Sequence, residues 1–257
     1  MKTEIIKPII KVGNSAGIIL PKSMVGGKAR VEIIENPINI KEDIIKILED
    51  QLQNIKGIYL TGSHARNEQT EKSDIDIIAI TNDINKKIEK GKYNILLLSE
   101  KSLSDTLEKN ILPLLPMIKE AKTLINSSLL EKYQKTKITK KNIKAYLEIT
   151  ESALEINRSF IELEEKNVSD SIAYSLIISL RSADIIDCLK TNKKWTNKDL
   201  KMLIKKISGS TNSYESYLRI KNNLNTKKEI PLEEAKSLYK YLENKTKEHK
   251  EWAKKIN

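Results

Sequence analysis

The sequence predicts a multidomain α+β chain with a short β-type head, an α/β middle and an antiparallel helical bundle at the end. Three observations predict it. Residues 1–40 hold short Ile/Val runs separated by Gly-Asn and Gly-Gly turns. Residues 57–98 alternate apolar runs with polar, turn-forming stretches. Beyond residue 134, apolar residues recur at three- and four-residue spacings, the period of an amphipathic helix. The expected boundaries give 1–38, 39–133 and 134–257 as the three parts.

The head begins with Ile5-Ile6-Lys7-Pro8-Ile9-Ile10-Lys11-Val12, a β-type run in which Pro8 suggests an edge strand or an irregular start. Gly13 to Gly17 reads as a turn, Ile18–Leu20 as a second strand, and Val31–Ile34 as a third. Pro37 marks a linker. So short a piece buries little apolar area alone and needs a partner, either the rest of the chain or a second copy. The string from Lys11 through Gly13-Asn14-Ser15 to Pro21-Lys22 resembles AbrB/MazE-type swapped-hairpin DNA-binding domains. That resemblance covers roughly residues 3–35 and implies a homodimer in which two copies interlace their hairpins. It also implies a DNA-facing set of Lys7, Lys11, Asn14 and Lys22, with Arg30 beside them. Lysines would meet phosphates, and Asn14 a base edge or the turn itself. The alternative reading is a β extension packed on the next domain.

In the middle part, Ile44, Ile45, Leu48, Leu52 and Ile55 make one apolar face over a helix from Lys41 to Lys56. Ile58–Leu60, Ile75–Ile80 and Asn94–Leu98 read as strands. Residues 102–132 read as mostly helical, broken at Pro113 and Pro116. The segment between the first two strands carries the chemistry. A β run ends in Gly62-Ser63, a polar loop with Arg66 and Ser73 follows, and Asp74-Ile75-Asp76-Ile77 starts the next strand. Alternation places Asp74 and Asp76 on one face and Ile75 and Ile77 in the core. Two carboxylates on one face repel, and a hard cation resolves the repulsion; Mg²⁺ favours one or two carboxylates plus substrate phosphates. Gly62 permits a close ligand approach, and Ser63 supplies a hydrogen-bond donor.

This Gly-Ser turn followed by Asp-x-Asp resembles the signature of the nucleotidyltransferase superfamily, nearest to its minimal prokaryotic members. The resemblance implies a mixed-sheet palm in which Asp74 and Asp76 are catalytic and hold Mg²⁺, while Gly62, Ser63, Arg66 and Ser73 bind an NTP, ATP first among them. Two departures stand out. Asn67 replaces a frequent glycine, a mild change because asparagine tolerates left-handed backbone. More seriously, the third carboxylate that such enzymes carry on the next central strand is missing from Tyr93–Leu98. Asn94 in its place, Glu100 at the strand end, Asp184 or Asp187 from another part, or no acid at all are the open alternatives. His64 reads as a solvent-facing or turn-stabilising residue.

The tail predicts helices over about 140–165, 169–190, 197–207, 214–223 and 232–252, with Ser169 and Asn197 as caps. Ile172, Leu176, Leu180, Ala183 and Ile186 form the core stripe of the most apolar one. Arg181 and Asp184, at i and i+3, are spaced to pair. Trp195 and Trp252 read as core or interface anchors. The arrangement resembles the helical domains of kanamycin-type nucleotidyltransferases, which are related to HEPN bundles. The Arg-x4–6-His motif of HEPN ribonucleases is absent, since neither His64 nor His249 follows an arginine at that distance.

The net charge of +11 is divided as +3 over residues 1–40, −1 over 41–133 and +9 over 134–257. A basic balance favours polyanionic partners. The single cysteine, Cys188, excludes an intramolecular disulfide and fits a reducing compartment. An interrupted apolar run after Lys2 and Glu4 predicts no signal peptide, and no apolar run reaches the ~18 residues of a membrane span. These features predict a cytoplasmic protein with no membrane partner. The expected activity is Mg²⁺-dependent transfer of a nucleoside monophosphate from NTP to a hydroxyl on a protein, RNA or small molecule, with an antitoxin-like, DNA-binding role beside it. The alternative is a DNA-binding regulator or antitoxin whose nucleotide-binding domain is catalytically degenerate.

Overall fold

A computed structural model describes residues 4–33, 39–71, 73–224 and 229–256. Two compact units result, residues 1–43 and 44–257.

In the first unit, β1 (Ile10–Val12) and β2 (Ser15–Gly17) form an antiparallel hairpin with Val12 opposite Ser15. The loop is the pair Gly13-Asn14, and Gly13 alone takes a positive φ of 59°. Glycine at the first loop position matches hairpin twist. A 3₁₀ turn over Lys22–Met24 follows. The expected second strand at Ile18–Leu20 therefore sits three residues earlier, because the turn is two residues long rather than five. Residues 31–33 form no strand, and Ile34 and Pro37 lie outside the described residues. The whole set of DNA-facing candidates, Lys7, Lys11, Asn14, Lys22 and Arg30, is exposed.

The second unit is built on a five-stranded mixed sheet. Helix α1 (Ile40–Ile47) leads to β3 (Ile55–Thr61), the short helix α2 (Gly62–Arg66) and β4 (Ile75–Thr81). β5 (Lys86–Lys90) and β6 (Tyr93–Ser99) form a hairpin at Gly91. After α3 (Glu100–Lys109) and α4 (Leu115–Glu120), β7 (Lys122–Ile125) returns to the sheet, and α5 (Ser127–Gln134) closes this part. The strand order is β5-β6-β4-β3-β7, with β4 and β6 parallel and the other pairs antiparallel. β7 and β5 are additions to the sequence-based reading. β7 is four residues inside a stretch rich in helix formers, and β5 is a Lys-rich edge strand whose only apolar residue is Ile88.

Cross-strand register sorts the sheet into two faces. Ile58, Leu60, Ile75, Ile77, Ala79, Ile95 and Leu97 are buried on one. Tyr59, Thr61, Asp76, Ile78, Ile80 and Asn94 share the other.

The helical part comprises α6 (Lys140–Leu163), α7 (Asp170–Lys190), α8 (Asn197–Ser208), α9 (Asn212–Lys221) and α10 (Leu232–Lys255), with a two-residue ladder between β8 (Asn167–Val168) and β9 (Ile230–Pro231). Thr139 and Asn142 make a reciprocal capping box at α6, and Thr196 rather than Asn197 caps α8. The expected α7 stripe is buried, Leu176, Leu180, Ala183 and Ile186 completely. That stripe is continuous with Tyr59, Ile78 and Ile80 of the sheet through Leu103, Leu107 and Ile143, so sheet and helices share one core. The Asp76 face of the sheet is therefore the face toward the helices.

Candidate active site

The Gly62 turn and Asp76 meet directly. Thr61 is opposite Asp76 in the β3–β4 register, and its Oγ1 donates to the Asp76 carbonyl at 3.3 Å. Gly62 has φ +68°, and a Cβ there would stand 2.2 Å from Asp76 Oδ2. Glycine is required twice, by backbone conformation and by the carboxylate beside it. Asn67 takes φ 59° and closes α2, as its tolerance of left-handed backbone predicts.

Asp74 is exposed just before β4, and Asp76 is half-buried on it. The Asp76 carboxyl is pushed up, first by burial and then by the like charge of Asp74; Arg66, Lys221 and the Asn94 amide oppose the rise. Burial is the larger cause, and the neighbouring Asp74 charge adds to it. Among the described residues no group of three His, Cys, Asp or Glu is placed to hold a metal. Asp74 and Asp76 are the carboxylates here that could hold a cation, the oxygen donors that hard cations such as Mg²⁺ take.

Of the alternatives for a third acid, Asn94 lies in register with Asp76. Asn94 on β6 pairs with Asp76, and Glu89 on β5 pairs with Asn94, so Asp76, Asn94 and Glu89 form one row across three strands. Asn94 occupies the central position and Glu89 the edge, where it forms an ion pair with Lys87. Glu100 lies at the opposite end of β6, held by Lys56 at 2.6 Å, Lys132 at 2.8 Å and Tyr133 at 2.9 Å. Asp187 is engaged by His249 at 2.9 Å, Lys190 at 3.1 Å and Lys245 at 3.2 Å. Neither Glu100 nor Asp187 reaches the acid pair.

The expected Arg181–Asp184 pair is not formed. Arg181 lies over the Trp195 ring at 4.9 Å, and burial pushes the Asp184 carboxyl up while the neighbouring Trp195 indole opposes the rise. Arg181 Nε, Asp184 Oδ2 and Trp195 Nε1 are buried without a partner among the described residues. The His64 Nε2 is likewise buried and unpartnered.

Arg66 is bound on two sides. Its Nε donates to Glu68 Oε2 and its Nη1 to Glu120 Oε2, both at 2.8 Å. The second Glu120 oxygen accepts the Gly62 N–H at 2.9 Å. The guanidinium also faces Trp195 at 5.5 Å. Ser73 is used locally, its Oγ accepting the Thr70 N–H at 2.9 Å. Ser63 is half-buried on α2 beside the turn.

Sequence reasoning missed Glu120, Trp195 as a site residue, and Lys221. Lys221, at the end of α9, has its ammonium held below the ordinary lysine range by desolvation and by the nearby cations Arg181 and Arg66, against the pull of Asp76. Neither Lys221 nor Arg181 forms an ion pair among the described residues. A lysine in a Lys-rich tail carries no signal of this position in its sequence.

No curated protein matches the chain. Solved structures similar at low identity include two nucleotidyltransferase-type proteins. The nucleotidyltransferase-like protein from Exiguobacterium sibiricum 255-15 is 12% identical, with a TM-score of 0.38 over 82% of this chain and 75% of that one. The spectinomycin adenyltransferase from Enterococcus faecialis is 16% identical, with a TM-score of 0.41 over 80% of this chain and 97% of that one. Residues 41–136 match the family model described as "Nucleotidyltransferase domain", a range that contains the Gly62 turn, both aspartates and all five strands of the sheet. Residues 41–136 thus carry a nucleotidyltransferase domain.

Proposed function

We propose that the chain transfers a nucleoside monophosphate from a Mg²⁺–NTP complex, with ATP the first candidate, to a hydroxyl acceptor. One observation carries this reading: Gly62, at φ +68°, is packed so closely against Asp76 that a Cβ there would lie 2.2 Å from Asp76 Oδ2, and Asp74 sits two residues before it. Asp74 and Asp76 would hold the Mg²⁺, which supplies charge neutralisation at the phosphates when bound. Ser63 at the turn would donate to a phosphate oxygen, and Lys221 and Arg181, in no ion pair among the described residues, would add positive charge. In the transfer, a bond forms between the acceptor oxygen and the α-phosphorus. The bond from that phosphorus to the α,β-bridging oxygen breaks, pyrophosphate leaves with the electron pair, and the acceptor proton passes to solvent. The contribution of the chain is positioning and electrostatics.

Asn94 at the third-acid position favours a second reading, a DNA-binding regulator or antitoxin whose nucleotide site turns over slowly or not at all. The head supports it chemically. Its hairpin presents Lys11 and Asn14, and Ile6, Val12, Ile19 and Val25 are exposed apolar residues suited to a second copy. The two readings are separated by incubating the protein with each α-labelled NTP, Mg²⁺ and protein, RNA or aminoglycoside-type acceptors. Label transfer that Asp76→Ala abolishes supports the enzyme. Absence of transfer with every acceptor, together with saturable DNA retention, supports the regulator.

A further inference from the structure

We propose that Glu120 is a positioning residue for the catalytic turn, and that Arg66 serves with it as a brace rather than as a phosphate ligand. The inference rests on the nucleotidyltransferase reading above. The Glu120 carboxylate bridges two groups that a Gly-Ser turn would otherwise offer to a nucleotide. One oxygen takes the Gly62 N–H at 2.9 Å, and the other takes Arg66 Nη1 at 2.8 Å. Both side chains are largely shielded, Arg66 at 13% and Glu120 at 14% exposure, so the pair is firmer than a surface ion pair.

Charge points the same way. Arg66 contributes one positive charge, while Glu68 and Glu120 contribute two negative ones. Two of the Arg66 N–H groups are thereby committed to carboxylates rather than left free for a phosphate. Lys221 and Arg181 have no such neutralising carboxylates, so the cationic side of the site comes from the helical part.

The brace extends beyond the turn. Glu68 also accepts from Asn197 Nδ2 at 3.2 Å, at the start of α8, and Arg66 faces Trp195. A continuous set of contacts therefore runs from Asp76 through Gly62, Glu120, Arg66 and Glu68 to the helical part. Gly62 already sits at the limit of approach to Asp76, so a displaced turn displaces the carboxylate with it. A misplacement of about 1 Å at a reacting centre costs on the order of 10²-fold in rate.

The test compares wild type with Glu120→Ala, Glu120→Gln, Arg66→Lys and Lys221→Ala. It measures kcat and KM for the NTP, and the Kd of Mg²⁺ with a non-hydrolysable ATP analogue by calorimetry. Glu120→Ala is expected to lower kcat about 10²-fold and to leave the analogue Kd within about threefold. Glu120→Gln, which keeps an oxygen for the Gly62 N–H, is expected to recover about tenfold of that loss. Lys221→Ala is expected to weaken the analogue about tenfold. Tighter analogue binding in Glu120→Ala with kcat retained would show Arg66 released to meet phosphate, and that overturns the proposal. Unchanged kcat in both Glu120 variants overturns it as well. If Glu120→Ala does not fold, Glu120→Gln and Arg66→Lys decide the question alone. A wild type that neither binds the Mg²⁺ analogue nor transfers label refutes the nucleotidyltransferase reading, and the brace with it. Asp76-dependent transfer indifferent to Glu120 refutes only the brace.

Discussion

Substituting Gly62 by alanine tests the centre of the site, and its two costs can be worked separately. A non-glycine residue at φ +68° costs about 1–2 kcal/mol in backbone strain. The new methyl carbon would lie 2.2 Å from Asp76 Oδ2 and 3.1 Å from Asp76 Cβ. The oxygen contact is about 1 Å too short, so the carboxylate must swing away or the turn must lift. Relief by rotation keeps the fold intact and moves the Asp76 carboxylate by about that distance. The expected stability loss of about 1.5 kcal/mol lowers the melting temperature by roughly 3–6 °C for a chain of this size. The expected rate loss is about 10²-fold, or ~2.7 kcal/mol in the barrier. Melting curves and initial rates of α-label transfer measure both. Gly62→Ala and Asp76→Ala should also fail to add, because both act through one carboxylate. Wild-type kcat in Gly62→Ala, with a melting temperature lowered as expected, would refute the link between turn and acid.

Three further outcomes follow from the same geometry. Asn94→Asp restores a third carboxylate in the row with Asp76 and is expected to raise kcat at least tenfold above pH 7, with an acid limb absent from wild type; a flat profile counts against the row. The KM for ATP is expected to rise with salt in wild type, and Lys221→Ala is expected to flatten that dependence, read from initial rates at 50 and 300 mM salt. Glu100 is held down to about 2 by hydrogen bonds from Lys132, Lys56 and Tyr133, below its ordinary 4.5. A carboxylate depressed in the folded state stabilises above its unfolded value and loses that contribution as pH falls from about 4.5 toward 2. Glu100→Gln should therefore cost about 1 kcal/mol at pH 7, after allowance for solvent screening, and nothing near pH 2 by urea titration.

Much of the site was legible because its chemistry lies within one short segment. Gly62, Ser63, Asp74 and Asp76 are recognisable from spacing and residue type, and the register brings Gly62 and Asp76 into contact. The neighbour of Asp76 on the next strand was left open among Asn94, Glu100 and Asp184, and the parallel, in-step pairing of β4 and β6 sets Asn94 beside it. The groups that complete the site were not legible. Glu120 is 58 residues beyond Gly62 in the chain, and only the return of β7 to the sheet delivers it. Lys221 is one of 26 Lys/Arg residues after position 133, with nothing local to distinguish it. In the head, β-type residues were right for a hairpin, but the two-residue loop set the register, and periodicity says little about loop length. Arg181 and Asp184 show the limit of i, i+3 reasoning, since Trp195 from a following loop takes the cation instead.

The continuity of the core across sheet and helices bears on how such a chain can change. Ile78 and Ile80 of the sheet, Leu103 and Leu107 of α3, and Leu176 and Leu180 of α7 belong to one buried cluster. The Ile111 N–H donates to the Asn142 carbonyl at 3.0 Å across the nominal joint between the two parts. Removing the helices strips cover from the very face that carries Asp76. The helical part is thus no exchangeable attachment. Substitutions on the helix surfaces that pack on the sheet therefore act on the stability of the acid-bearing strand as well as on the helices themselves.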